Sequence, residues 1–441
     1  MIDDRLPVLL VILDGLGDRA CPELGDRTPC EAARTPQLDA LAARGSNGVH
    51  VPFGPGRATS SETAHWALFG FGELPFAGRA LIELLGVGQQ APSGEPMFHL
   101  ALRAATVRDG KLWLGERARP RLDDDTCQQL FAALAGRSAG GVSFEILPLR
   151  TGESVLLARG AGTRDVSDTD ALFEHLHPWM QPQGLPESRD PVRARQFAAT
   201  LQAWLIESRQ ILRRHPANKT RREAGLPALE VAVTKWASML DPALPDFRTH
   251  TGLAGAAVTD TALYRGLARL LKMTLVDLPY DARDPARDME SRLAAAGKLL
   301  DDHDFVHLHL KATDEAAHTK QPQLKRDVIE AVDAGLAGLL ALSERAVVAV
   351  TGDHASPSRG SLLHSGDPTP LVVAAPGLRP DAVLQFGERS AMTGELGPLR
   401  AAEVLPLLAG IANRPFFLGH RPGLGNSVAM PGHPAPMPLS D

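Results

Sequence analysis

A chain of 441 residues with 52 acidic and 46 basic side chains carries a net charge of −6, which excludes the basic footprint of a nucleic-acid binder. Its 44% hydrophobic and 22% charged residues describe a globular protein with one large domain plus a second domain or an insertion. No run approaches the roughly 20 apolar residues of a membrane span. An acidic start argues against a signal peptide, and Cys21, Cys30 and Cys127, an odd set without metal spacing, point to a reducing cytoplasm.

The first apolar run, VLLVIL at 8–13, lacks the alternation of a half-exposed strand and predicts a buried parallel strand that stops at Asp14. TPQLDALAARG (35–45) has helical spacing and ends on Gly45, a helix stop. SSETAHWALFGF opens at Ser60-Ser61 as a helix-like run, and the chain is then rich in Gly and Pro to about residue 97. From 98 the texture changes. LALRAATVRDGKLWL (100–114) reads as two strands around an Asp109-Gly110 turn, followed by a helix near 123–136 and strands FEILPLR (144–150) and SVLLARG (154–160). Residues 191–214 predict a long amphipathic helix, and HPANKTRREAGLP (215–227) a polar, Pro-bounded crossing point. From about 220, VAV, TLVDLP, FVHLHL, VVAV and LVVAA alternate with helical stretches such as 322–343. That alternation predicts an α/β fold with a mostly parallel sheet and helices on both faces. The economical division is a discontinuous core, 1–97 and 220–441, with a smaller α+β cap domain inserted at 98–219. The Pro-rich tail at 430–441 is expected to be disordered. The chain has no internal repeat and no signal for an oligomeric state.

Groups that are hard to bury stand at the ends of three of these strands. Asp14 ends the first, where open α/β sheets place ligands; alone, it reads slightly better as an N-cap on the Gly-rich turn that comes next. FVHLHL leads into Lys311, and then Asp314 and His318, whose i, i+4 spacing puts both on one helical face. AVVAVT (346–351) delivers Asp353 and His354, which bind one ion from a turn or two neighbouring ions. His364, in LLHSGDPTP, is the natural completing ligand. Carboxylate with imidazole suits a borderline divalent cation, so the set predicts a two-metal site. His307 and His309 alternate along their strand and read as packing groups or supports behind a ligand, and His215 and His303 as solvated. A serine is a poor nucleophile near neutral pH, so either Ser60 or Ser61 needs activation by a cation and a helix N-terminus. Phosphate must also meet fixed cations; Lys311 and the arginines of GERARPR, Arg117, Arg119 and Arg121, are the candidates. Walker, Gly-x-Ser-x-Gly and kinase signatures are absent from the sequence.

In this order the motifs resemble those of the archaeal-type, cofactor-independent phosphoglycerate mutases of the alkaline phosphatase superfamily. VILDGLGDRACPELGDRTPCEAARTPQLDALAARG resembles the family's opening, SSETAHWALFGF its nucleophile segment and GRALIELLGVG the family's next segment, while KATDEAAH, TGDHASPSR and HSGDPTPLVVAAPG complete the metal motifs. The resemblance implies an alkaline-phosphatase-like core and a serine, Ser61, that becomes phosphorylated. It implies that Asp14, Ser61, Asp353 and His354 hold one divalent ion and Asp314, His318 and His364 the other, with manganese expected and zinc also suited. It further implies that Lys311 touches the substrate phosphate, that His65 lies close to the substrate, and that no 2,3-bisphosphoglycerate is needed. The implied reaction moves a phosphoryl group from a small phosphorylated acid to Ser61 and back to the other hydroxyl of the glycerate, which the cap retains.

Three segments depart from the family pattern. Glu62 stands where aspartate is usual; GERARPR replaces an Arg-Arg-Ala-Gly-Arg stretch; VTKWAS (233–238) replaces Arg-Gly-Ala-Gly and leaves Lys235 and Trp236. These are substrate-recognition positions, with Lys235 joining Arg117, Arg119 and Arg121 as candidate contacts, and lysine does not replace arginine in bidentate anion binding. The alternatives are therefore a metal-dependent phosphatase or a mutase for another phosphorylated or phosphono acid. A non-catalytic binding relative is the third reading, and retention of every expected metal ligand argues against it.

Overall fold

The computed structural model describes residues 4–171, 177–416 and 437–439, so the Pro-rich tail lies outside the described residues except for 437–439. The chain divides into two compact units, Met1–Phe76 with Pro245–Asp441, and Ala77–Leu244. Among the described residues no helix is long and apolar enough to cross a membrane.

The first unit is built on an eight-stranded sheet. Edge to edge its strands are Thr274–Asp277, Gly255–Thr259, Phe305–Leu310, Val8–Leu13, Val347–Thr351, Thr369–Ala374, Ser46–His50 and Gly397–Leu399. The first five run parallel, and Thr369–Ala374 lies antiparallel to both of its neighbours, so LVVAA joins the sheet in the opposite sense to the other runs. Every residue of Val8–Leu13 is buried, as a run without alternation requires when helices cover both faces. Leu9, Val11 and Leu13 meet Leu38, Leu41, Met289, Leu293 and Ile329 from the helices of one face. On the other face Phe305 and His307 pack edge-on against Phe69 of the segment that begins with Ser61. Burial of each such Leu or Ile is worth about 1.5–3 kcal/mol.

The second unit has an antiparallel sheet centred on the long strand Pro96–Arg108. Its first half pairs with Glu153–Arg159 and its second half with Lys111–Arg117, through a turn in which Asp109 and Gly110 both take positive φ (49° and 71°). VAV proves to belong here: it opens Val231–Met239, which runs antiparallel to Pro96–Arg108 instead of joining the core sheet. Periodicity marks a strand without saying which sheet takes it. The 98–219 block therefore widens at both ends in this unit, which also contains the helix Arg79–Gly86 packed on those two strands. The crossing point at 215–227 is a helix, Pro216–Glu223, with Pro at its first turn. Its buried side chains are polar: Asn218 donates to the carbonyls of Leu212 and Leu229, and Arg221 to Asp123. A hydrophobic pattern cannot reveal such a helix.

Candidate metal centre

Register assembles the centre. Val8–Leu13 lies between Phe305–Leu310 and Val347–Thr351, with Leu13 level with Leu310 and Ile12 level with Thr351. Asp14, Lys311 and Asp353 therefore emerge together at the carboxyl end of the sheet, although Asp14 lies hundreds of residues before the other two in sequence. Gly15 makes the turn at φ +62°, and its N–H donates to Asp353 Oδ1 at 3.0 Å. A Cβ there would lie 2.6 Å from both Asp314 Oδ1 and Ser356 Oγ, so only glycine lets this strand end approach the centre. The helix Ala312–His318 stacks Asp314 and His318 on one face, with His318 Nε2 3.0 Å from Asp314 Oδ2.

The helix Ser61–Leu68 separates the two serines. Ser60 is its N-cap residue, makes no capping bond and pairs with Thr63 Oγ1 at 3.0 Å. Ser61 is the first helical residue, buried, with Oγ 2.9 Å from His354 Nε2.

Two groups of ligand atoms converge, Asp14–Asp353–His354 and Asp314–His354–His364, each with its atoms within 4.8 Å of one another. His354 belongs to both, whereas the expected division gave it to the first alone. His318 adjoins the second group through Asp314. Asp14 Oδ1 is buried without a hydrogen-bond partner, while Asp14 Oδ2 receives Tyr264 Oη, His309 Nε2 and Lys311 Nζ at 2.8, 2.9 and 3.0 Å. A bare carboxylate oxygen facing other carboxylates and imidazoles fits a divalent cation. Electrostatics say the same. Burial works to raise the Asp14 carboxyl, but Lys311, His309 and His354 hold it well below the usual range. Burial and the Asp14 charge push Asp353 well above that range. Two carboxylates forced apart in this way are what a bound dication would let ionise together.

Further contacts aim the ligands. Ser356 Oγ bridges Asp314 Oδ1 at 2.5 Å and His354 Nδ1 at 3.2 Å, and His364 Nδ1 donates to the Thr59 carbonyl at 2.7 Å, which leaves each Nε2 toward the centre. Burial holds His354 down at about 3, in the neutral state that ligation needs. Lys311 Nζ bridges Asp14 and Asp314 (3.0 and 2.7 Å); burial opposes its charge, but these carboxylates outweigh it and hold the ammonium well above its ordinary range. Behind the centre, fully buried Lys325 Nζ donates to Asp18 Oδ2 and to the carbonyls of Gly15, Gly17 and Ser356, all at 2.8–3.0 Å.

His65 adjoins the buried ligand group, with Nδ1 3.6 Å from Asp353 Oδ2. His65 is fully buried; its Nδ1 donates to the Ser61 carbonyl at 2.8 Å, and its ring packs among Tyr264, His307 and His309. In the second unit Arg117 is exposed, Arg119 is held by Asp123, and the exposed Arg121 takes φ +66°. Lys235 is buried 3.7 Å from Asp170, which also accepts from Arg103 at 2.7 Å; burial lowers the Lys235 ammonium to about 8. Sequence reasoning missed Tyr264 and Lys325. The small-residue strand Gly255–Thr259 escaped notice, and with it the strand end that carries Tyr264 on the helix Ala262–Leu270.

A model of the metalloenzyme superfamily matches residues 6–409. The 2,3-bisphosphoglycerate-independent phosphoglycerate mutase of Ignicoccus hospitalis is 35% identical over 415 residues, 93% of this chain and 98% of the relative. Among solved structures, the PH0037 protein of Pyrococcus horikoshii superposes with a TM-score of 0.73 at 28% identity, covering 93% of this chain and 98% of that one. The cofactor-independent phosphoglycerate mutase of Thermoplasma acidophilum gives 0.63 at 29% identity, covering 92% and 100%.

Proposed function

This chain belongs to the 2,3-bisphosphoglycerate-independent phosphoglycerate mutases of the metalloenzyme superfamily, and from that premise we propose that it interconverts 2- and 3-phosphoglycerate through a phosphoserine on Ser61. The observation that carries the reading is the Ser61 hydroxyl, buried at a helix N-terminus 2.9 Å from the imidazole shared by both ligand groups. Asp14, Ser61, Asp353 and His354 would hold one divalent ion and Asp314, His318 and His364 the other, with manganese the expected metal and zinc also suited. Such ions lower the pKa of the serine hydroxyl and offset charge on the phosphoryl oxygens. Ser61 Oγ gives up its proton and attacks the phosphorus of the bound acid; the bond to the glycerate oxygen breaks, and that oxygen takes up one proton, which balances the one Ser61 released. The other glycerate hydroxyl then attacks the phosphoserine phosphorus and restores Ser61. Lys311, kept cationic by Asp14 and Asp314, contributes a donor to the phosphate, and the helix N-terminus at Ser61 adds backbone N–H groups. His65 supports the turn that carries Ser61 through its bond to the Ser61 carbonyl. Of the candidate contacts for the acid, Arg117 and Arg121 are exposed, whereas Arg119 and Lys235 already meet Asp123 and Asp170. The proposed setting is glycolytic and cytoplasmic, in keeping with three free cysteines.

A phosphorus NMR time course of the manganese-loaded protein with 3-phosphoglycerate tests this. The expected result is 2-phosphoglycerate without free phosphate. Phosphate release alone, or no conversion, would overturn the assignment.

A further inference from the structure

Tyr264 is one of two tyrosines in the chain and is 3% exposed, on a helix that the sequence motifs do not mark. Its hydroxyl donates to Asp14 Oδ2 at 2.8 Å and lies 3.4 Å from Asp353 Oδ2. Two carboxylates expected on one cation thus meet a single phenol. The bond falls on the already occupied oxygen of Asp14 and leaves Oδ1 bare. Tyr264 does not reach Asp314, whose oxygens meet Ser356 Oγ, Lys311, His318 and, at 3.8 Å, His364. The Tyr264 ring is fixed independently of its hydroxyl, with its centroid 3.6 Å from that of His309 and 4.4 Å from that of His65.

We propose that Tyr264 is a positioning residue that commits Asp14 to one-oxygen ligation and so tightens the Asp14–Ser61–Asp353 group selectively over the Asp314 group. The physical reason is that a buried donor on one carboxylate oxygen fixes the plane of the group and steers its other oxygen. Without that donor only His309 and Lys311 hold Oδ2, so the plane of the carboxylate is less firmly set and its ligation weaker. The inference rests on the metal-centre reading of the proposed function.

The test is a manganese titration of the metal-free protein, with free ion followed by electron paramagnetic resonance, for wild type, Tyr264→Phe and Tyr264→Leu. Tyr264→Phe should keep the wild-type melting temperature, weaken one of two binding classes by about 10-fold, the low end of what such supports contribute, and leave the other unchanged. Turnover should fall at limiting manganese and recover at saturating manganese. Tyr264→Leu should lose melting temperature as well, because the ring contacts go with the hydroxyl. Superimposable isotherms for wild type and Tyr264→Phe would overturn the proposal. So would an equal loss in both classes accompanied by a lower melting temperature, since that marks a packing role. Wild type that binds no manganese would instead overturn the metal-centre reading itself.

Discussion

Asp14, Asp353 and His354 are 0–1% exposed, whereas the side chains of His318 and His364 keep 34% and 22% of their surface in solvent. The buried half is assembled from distant strand ends and held by Tyr264, His309, Lys311 and the Gly15 N–H. The exposed half owes its shape to one turn of helix and one loop. In the first half all the ligands are shut from water; in the second Asp314 is buried as well, but its two imidazoles open to solvent. The two halves should therefore hold cations with different tenacity, the buried one exchanging slowly and the exposed one readily.

The largest expected effect concerns the nucleophile that joins the halves. Ser61→Ala should lower kcat by at least ~10³-fold while manganese still binds, as measured by turnover and metal analysis on one sample. An active Ser61→Ala beside an inactive Ser60→Ala would move the nucleophile by one residue. Next come the ligands themselves. His354→Ala should abolish high-affinity binding in both classes, because both groups use that imidazole, whereas His318→Ala should remove only the fast-exchanging ion. Equal losses in the two variants would erase the distinction between the halves.

A smaller effect tests the support behind the buried half. Glu388 accepts from the Asp18 N–H at 3.2 Å and from Thr28 Oγ1 at 2.6 Å, and burial pushes its carboxyl up to about 7. In the unfolded chain it titrates near ~4.3. The folded state therefore keeps a proton that the unfolded state releases between about pH 4.3 and 7, and stability from this group declines as pH rises through that window. Glu388→Gln stays neutral throughout, so its melting temperature should change less between pH 5 and pH 8 than that of wild type. An unchanged pH slope would sink the assignment.

Legibility in the sequence divides along the same line. Asp314 and His318 share a helical face as their spacing predicts, and Asp14 and Asp353 end apolar runs; each is weak evidence singly and gains weight only in company. Parallel register then did the rest, since level strand ends need no further information to meet. Tyr264 was illegible because its strand, GAAVT, is built of small residues that give a weak β signal, and because a tyrosine on a buried helical face looks like core. The helix Pro216–Glu223 was illegible because its buried side chains are polar. Arg119 shows the converse limit. An arginine in a suggestive motif can be occupied locally, here by Asp123 four residues on, and only coordinates reveal the partner.

Lys325 carries a consequence of another kind. Three carbonyl oxygens and one carboxylate around a compact positive charge are the coordination that many proteins offer to potassium or sodium. Here the ion is covalently tethered to the chain and always present. The turns that bear Asp14 and His354 are thereby kept aligned by a charge whose occupancy does not follow the salt composition of the medium.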